Sequence, residues 1–91
     1  MSFNFGYSYD DVLIKPRLSI VESRSEISLN SNLTRNIKLK TPIISANMDT
    51  VTEAEMAIDM AKIGGIGIIH RYCSIDDQVE MIKKVKKNIN F

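Results

Sequence analysis

Two short, almost wholly apolar runs, each followed by a stretch of helical period, constrain this chain more than any other feature. The first lies at residues 42–46 of "TPIISANM" and the second is "IGIIH" at residues 66–70. After the first, Ala54, Ala57, Ile58 and Ala61 recur at i, i+3, i+4 and i+7, with Met56, Met60 and Ile63 beside them. That spacing predicts a helix with a wide apolar face. Thr50-x-x-Glu53 and Thr52-x-x-Glu55 both fit a capping box at its start. After the second run, "SIDDQVEMIKKVKKN" predicts another helix, with Ser74 as N-cap, Asp76 and Asp77 at the positive end of the dipole and lysines at the negative end. Ile75, Val79, Ile82 and Ile89 are expected on its inner side. The order strand–helix–strand–helix with fully apolar strands is that of a parallel sheet buried on both faces. Two such strands and two helices cannot cover both faces. A doubly wound sheet or a (β/α)8 barrel needs far more chain, about 250 residues for a typical barrel. The 91 residues are therefore expected to be the N-terminal piece of a larger α/β domain.

"KIGGIGIIHR" looks at first like a phosphate-binding glycine loop. A dinucleotide fingerprint, however, follows a strand and opens a helix, and its third glycine comes three residues after the second. Here the glycines follow a helix and precede a strand, and His70 closes the motif. The structural reading is preferred: Gly64 caps the helix, Gly65 makes the turn into the strand, and Gly67 leaves room for a neighbouring chain. This orients the molecule. "NMDT" and "HRYC" then mark the carboxyl ends of the two strands, the face on which parallel α/β folds bind ligands.

Before residue 41 the pattern is different. "YSYDDVLIKP" carries one apolar run closed by Pro16, and residues 17–40 are rich in Ser, Asn and charge, with short alternating pieces. Short strands or extended cover are predicted for residues 1–40. The chain is 44% hydrophobic and 25% charged, with a formal net charge of +1, which gives no field to steer nucleic acid or an acidic membrane surface. The single cysteine, Cys73, excludes an internal disulfide. No apolar run reaches the roughly 20 residues of a membrane helix, and the N-terminus lacks the pattern of a secretory signal. These features predict a cytoplasmic protein with no nucleic-acid or membrane partner.

Asn47, Met48, Asp49 and Thr50 make a polar turn before a helix. They can serve as backbone caps or as ligand contacts through side chains and amides. His70 is a lone histidine at a strand end, with no second His or Cys at metal spacing, so no metal site is predicted. Cys73 has no visible activating base, and no catalytic residue is predicted.

Taken together, "YSYDDVLIKP", "SRSEISL" and "LTRNIKLKTPIISANMDTVTEAEMAIDMAKIGGIGIIHRYCSIDDQVEMIKKVKK" resemble the IMP dehydrogenase / GMP reductase family, and within it the N-terminal part of IMP dehydrogenases. The resemblance implies the N-terminal portion of a (β/α)8 barrel. Residues 1–40 would be an extended segment covering the barrel, and residues 41–91 its first two β/α units. In many members a pair of CBS modules follows the second helix. It also implies a purine nucleotide oxidoreductase that takes IMP to XMP with NAD, helped by potassium, and that assembles as a homotetramer. Its catalytic cysteine lies on a later loop, so this chain alone is expected to be inactive. Residues Ala46, Asn47 and Met48 match the loop that contacts the nucleotide, though relatives often carry serine where Ala46 stands. His70 is the expected cofactor-side residue, acting through shape or local packing. "SRSE" and "ANMDT" look more like GMP reductase, which takes GMP to IMP with NADPH. A non-catalytic piece that only joins a partner barrel is the alternative from another class.

Overall fold

The computed structural model describes residues 2–89. Four short strands and two helices follow one another in the chain: β1 (Ser31–Asn32), β2 (Lys38–Leu39), β3 (Ile44–Ser45), α1 (Ala54–Lys62), β4 (Ile66–Gly67) and α2 (Ile75–Asn88). Single turns of 3-10 helix at Tyr9–Asp11 and Arg24–Glu26 precede them.

β3 and β4 pair in parallel, with Ile44 opposite Ile66 and Ser45 opposite Gly67. The amides of Ile66 and Ile68 extend the ladder to the carbonyls of Ile43 and Ser45, at 3.1 and 3.2 Å. The regular strands are thus shorter than the apolar runs at 42–46 and 66–70. α1 is the crossover between them, as parallel pairing demands. Of its predicted apolar face it buries Ala54, Ala57, Ile58 and Met60, with Ala61 half-buried and Met56 and Ile63 exposed at the rim, and Leu39 of β2 joins the core.

Both helix ends show how local chemistry sets the geometry. The C-terminus of α1 is a Schellman motif: Gly64 N–H donates to Ala61 O and Gly65 N–H to Met60 O, with Gly64 at φ +90. The Thr41 hydroxyl adds a bond to Ile63 O at 2.7 Å. A side chain on Gly65 would meet the Ile43 carbonyl at 2.6 Å, and one on Gly67 would meet Ala57 Cα at 2.7 Å. The glycines are there for turns and close approach, as their order in the sequence predicts. At the start of α2, Ser74 Oγ accepts from the Asp77 amide, again as expected.

Two expectations fail. Neither capping box forms on α1. Its N-cap is Glu53, whose side chain makes no cap bond. The Glu53 carboxylate is drawn instead to His70, and the Thr52 hydroxyl is buried against Ser45 and Ala46. On α2 the inner side is not Ile75–Val79–Ile82. Ile89 is half-buried as expected, but its companions are Gln78, Met81 and Val85, while Ile75, Val79 and Ile82 are exposed. The helix carries two apolar stripes, and α1 covers only one.

β1 and β2 form an antiparallel hairpin, Ser31 opposite Leu39. It is tied to the α1–β4 turn through Gly64 O, which accepts from both Lys40 N and Thr41 N at 3.0 Å. The segment before it is an exposed arm. Leu13 and Ile14 are 97% and 98% exposed. The radius of gyration is 18.0 Å, against about 12 Å for a compact domain of this length.

Candidate functional site at the strand ends

The carboxyl ends of β3 and β4 lie side by side because their strands pair in parallel. Together they line an open concavity of about 370 Å³, formed by Asn47, Met48 and Asp49 from the first loop and His70, Arg71 and Tyr72 from the second. The structure therefore brings two expected residues, Asn47 and Met48, onto the same surface as His70. Ala46 does not line it and lies one residue behind.

The first loop is held from within. Met48 O accepts from Val51 N at 2.9 Å and Thr52 N at 3.0 Å, which closes a tight turn. The Met48 side chain is 54% exposed and free to meet a ligand. Thr52 is 0% exposed. Its hydroxyl lies 2.6 Å from Ala46 O and 2.8 Å from Ser45 Oγ. A carbonyl only accepts and a hydroxyl has one proton. Thr52 therefore donates to Ala46 O, and Ser45 donates to Thr52.

The second loop turns on His70, which is 3% exposed. Its Nδ1 accepts from Tyr72 N at 2.9 Å, so in the neutral ring the proton sits on Nε2, facing Glu53 Oε2 at 3.1 Å. The His70 carbonyl accepts from the Gln78 side chain at 3.0 Å. One residue thus links the start of α1, the loop after β4 and the first turns of α2. Neither ring nitrogen is free for a ligand.

Cys73 is exposed and unpaired. Among the described residues no group of three His, Cys, Asp or Glu could hold a metal ion, and no helix is long and apolar enough to cross a membrane. The sequence placed Arg71 and Tyr72 on this face as part of "HRYC" without singling them out, and it missed the Ser45–Thr52 and Glu53–His70 pairs. A threonine at a position that packs inward was the one available signal; the 17-residue spacing of Glu53 and His70 carries none.

Residues 6–90 match the model of the IMP dehydrogenase / GMP reductase domain. The chain belongs to this family. Within the IMP dehydrogenase / GMP reductase family, it is 51% identical over 86 residues to the GMP reductase of Leishmania donovani, covering 94% of this chain and 18% of that protein. It is 50% identical over 88 residues to the inosine-5'-monophosphate dehydrogenase of Nitrosopumilus maritimus, covering 97% of this chain and 18% of that protein. Among solved structures of the family, the GMP reductase from Trypanosoma brucei in complex with guanosine 5'-triphosphate superposes with a TM-score of 0.88 at 52% identity. That match covers 94% of this chain and 20% of the other. The chain spans about a fifth of the length of these family members. Both names occur at about 50% identity, so the family is a purine nucleotide oxidoreductase family and the overall likeness does not select one reaction.

Proposed function

We propose that this chain supplies the first two β/α units of a (β/α)8 barrel that oxidises IMP to XMP with NAD, with residues 1–40 as extended cover. The observation that carries the reading is the concavity at the strand ends, where Asn47 and Met48 face His70, Arg71 and Tyr72. The exposed Met48 side chain offers an apolar surface for a purine or ribose, and the amides and side chains of the turn offer polar contacts. Ala46 takes part through its backbone. The enzyme is a cytoplasmic homotetramer in this reading.

The reading also brings a nicotinamide cofactor and potassium. The glycine motif does not fit a dinucleotide phosphate, because its open sides are filled by Ile43, Ala57 and Ser45 of the same chain. His70 shapes the cofactor side by packing, since both its nitrogens are engaged. When bound, the cofactor supplies hydride transfer; residues 2–89 position the nucleotide loop and close the base of the concavity.

A second reading, NADPH-dependent reduction of GMP to IMP, is favoured by the Leishmania and Trypanosoma relatives that carry that name. Absorbance at 340 nm separates the two in the complete protein. A rise with IMP and NAD supports the dehydrogenase. A fall with GMP and NADPH supports the reductase. No change with either pair overturns both.

A further inference from the structure

We propose that Thr52 is a positioning residue for the nucleotide loop, acting through a hydroxyl relay from Ser45 to the Ala46 carbonyl. The inference rests on the placement of the nucleotide over Asn47 and Met48 proposed above, and it names the group that makes that placement possible. Thr52 holds the loop at two points. Its side chain fixes Ala46 O at 2.6 Å, where the chain leaves β3, and its amide fixes Met48 O at 3.0 Å, in the middle of the turn. The residues between these two anchors are Asn47 and Met48 themselves. A threonine with no exposed surface, next to an apolar helix face, is costly unless its hydroxyl is satisfied. Valine would fill the same volume and suit the apolar neighbours better. The hydroxyl is therefore explained by its partners.

The surroundings are built around the relay. Ser45 Oγ occupies space that a side chain at position 67 would invade, at 3.0 Å from the Cβ position of an alanine there. Ser45 is also the last residue of β3, and its carbonyl accepts from Ile68 N. The relay thus references the nucleotide loop to the paired strands rather than to solvent-exposed chain. Nothing in it touches the concavity, so Thr52 acts through Asn47 and Met48.

The test uses the complete protein, with calorimetric titration of IMP and GMP, kcat measured on whichever reaction it performs, and thermal melting of each variant. Thr52→Val keeps the shape and removes the donor. It is expected to weaken nucleotide binding about tenfold, equivalent to about 1.4 kcal/mol for a buried carbonyl left unpaired. A loss of binding shared by ground and transition states leaves kcat within about twofold. Thr52→Ser restores the hydroxyl and is expected to restore affinity, which repair of packing alone would not do. Met48→Ala serves as the reference. If Met48→Ala weakens binding and Thr52→Val does not, the positioning role is overturned while the nucleotide placement stands. If neither weakens binding, the placement is overturned and the positioning role falls with it. If Thr52→Val fails to fold, Ser45→Ala carries the test: about threefold weaker binding is expected for loss of one hydroxyl donor, and unchanged binding overturns the relay.

Discussion

The Nε2 atom of His70 faces Glu53 Oε2 at 3.1 Å, and this pair joins the loop after β4 to the N-cap residue of α1. The imidazole is buried, while the Glu53 side chain is 60% exposed. The contact thus acts as a peg for the buried ring. Glu53→Ala leaves the buried Nε2–H without its partner and is expected to destabilise the protein by about 1 kcal/mol, the low end for an unpaired buried donor because water can reach the vacated side. Glu53→Gln keeps an acceptor and should cost less. Denaturant melts of the two variants check the order.

Tautomer assignment gives an independent check. The Tyr72 amide can only donate, so Nδ1 must accept. Nitrogen-detected NMR of the complete protein at neutral pH should show the His70 ring protonated at Nε2. A ring protonated at Nδ1 would mean that the Tyr72 contact is not made in solution.

Met48 and His70 should separate binding from stability. Burying a methionine side chain is worth roughly 1.5–3 kcal/mol. Part of that contact is with protein, so Met48→Ala should weaken nucleotide binding by about 1.4 kcal/mol, or tenfold. His70→Ala removes the two bonds of the imidazole, to Glu53 and to the Tyr72 amide, and should lower the melting temperature more, while leaving nucleotide affinity within a few-fold. The reverse pattern would move the nucleotide away from β3.

Gly67 has no room for a methyl group. Gly67→Ala places Cβ 2.7 Å from Ala57 Cα, a backbone atom of the packed helix face, so strand and helix must separate. The expected cost is about 1–3 kcal/mol, as for other overpacked cores. Thermal melting measures it. By contrast, Cys73→Ser should change neither stability nor turnover, because the thiol is exposed and unpaired.

The Ser74 hydroxyl accepts the Asp77 amide at 3.1 Å. Ser74→Ala should therefore cost about 1 kcal/mol, read as a lower melting temperature. Ser74→Asp should recover most of it.

Much of the α/β unit was legible because its signals are local. Helical spacing at Ala54–Ala57–Ile58–Ala61, the serine before α2 and the glycines after α1 each act within a few residues. The glycine order also gave the polarity of the strands, and from it the face that carries Asn47, Met48 and His70. What was not legible depends on distance in the chain. The threonines before α1 looked like caps because capping is the commonest local use of that pattern. Only the fold shows that Thr52 turns inward to Ser45 and that Glu53 reaches His70. On α2, both apolar stripes satisfied the helical period, and contact with α1 decided between them.

The exposed arm has a consequence for synthesis. Translation releases it before residues 41–89 exist, and nothing in the hairpin or the two β/α units covers Leu13, Ile14, Leu18 or Ile20 afterwards. The β3–α1–β4 unit closes through contacts between neighbours in sequence, which form early. The arm therefore keeps these apolar side chains in water while the unit closes. During that interval it is the part of the nascent chain most open to chaperones and to aggregation.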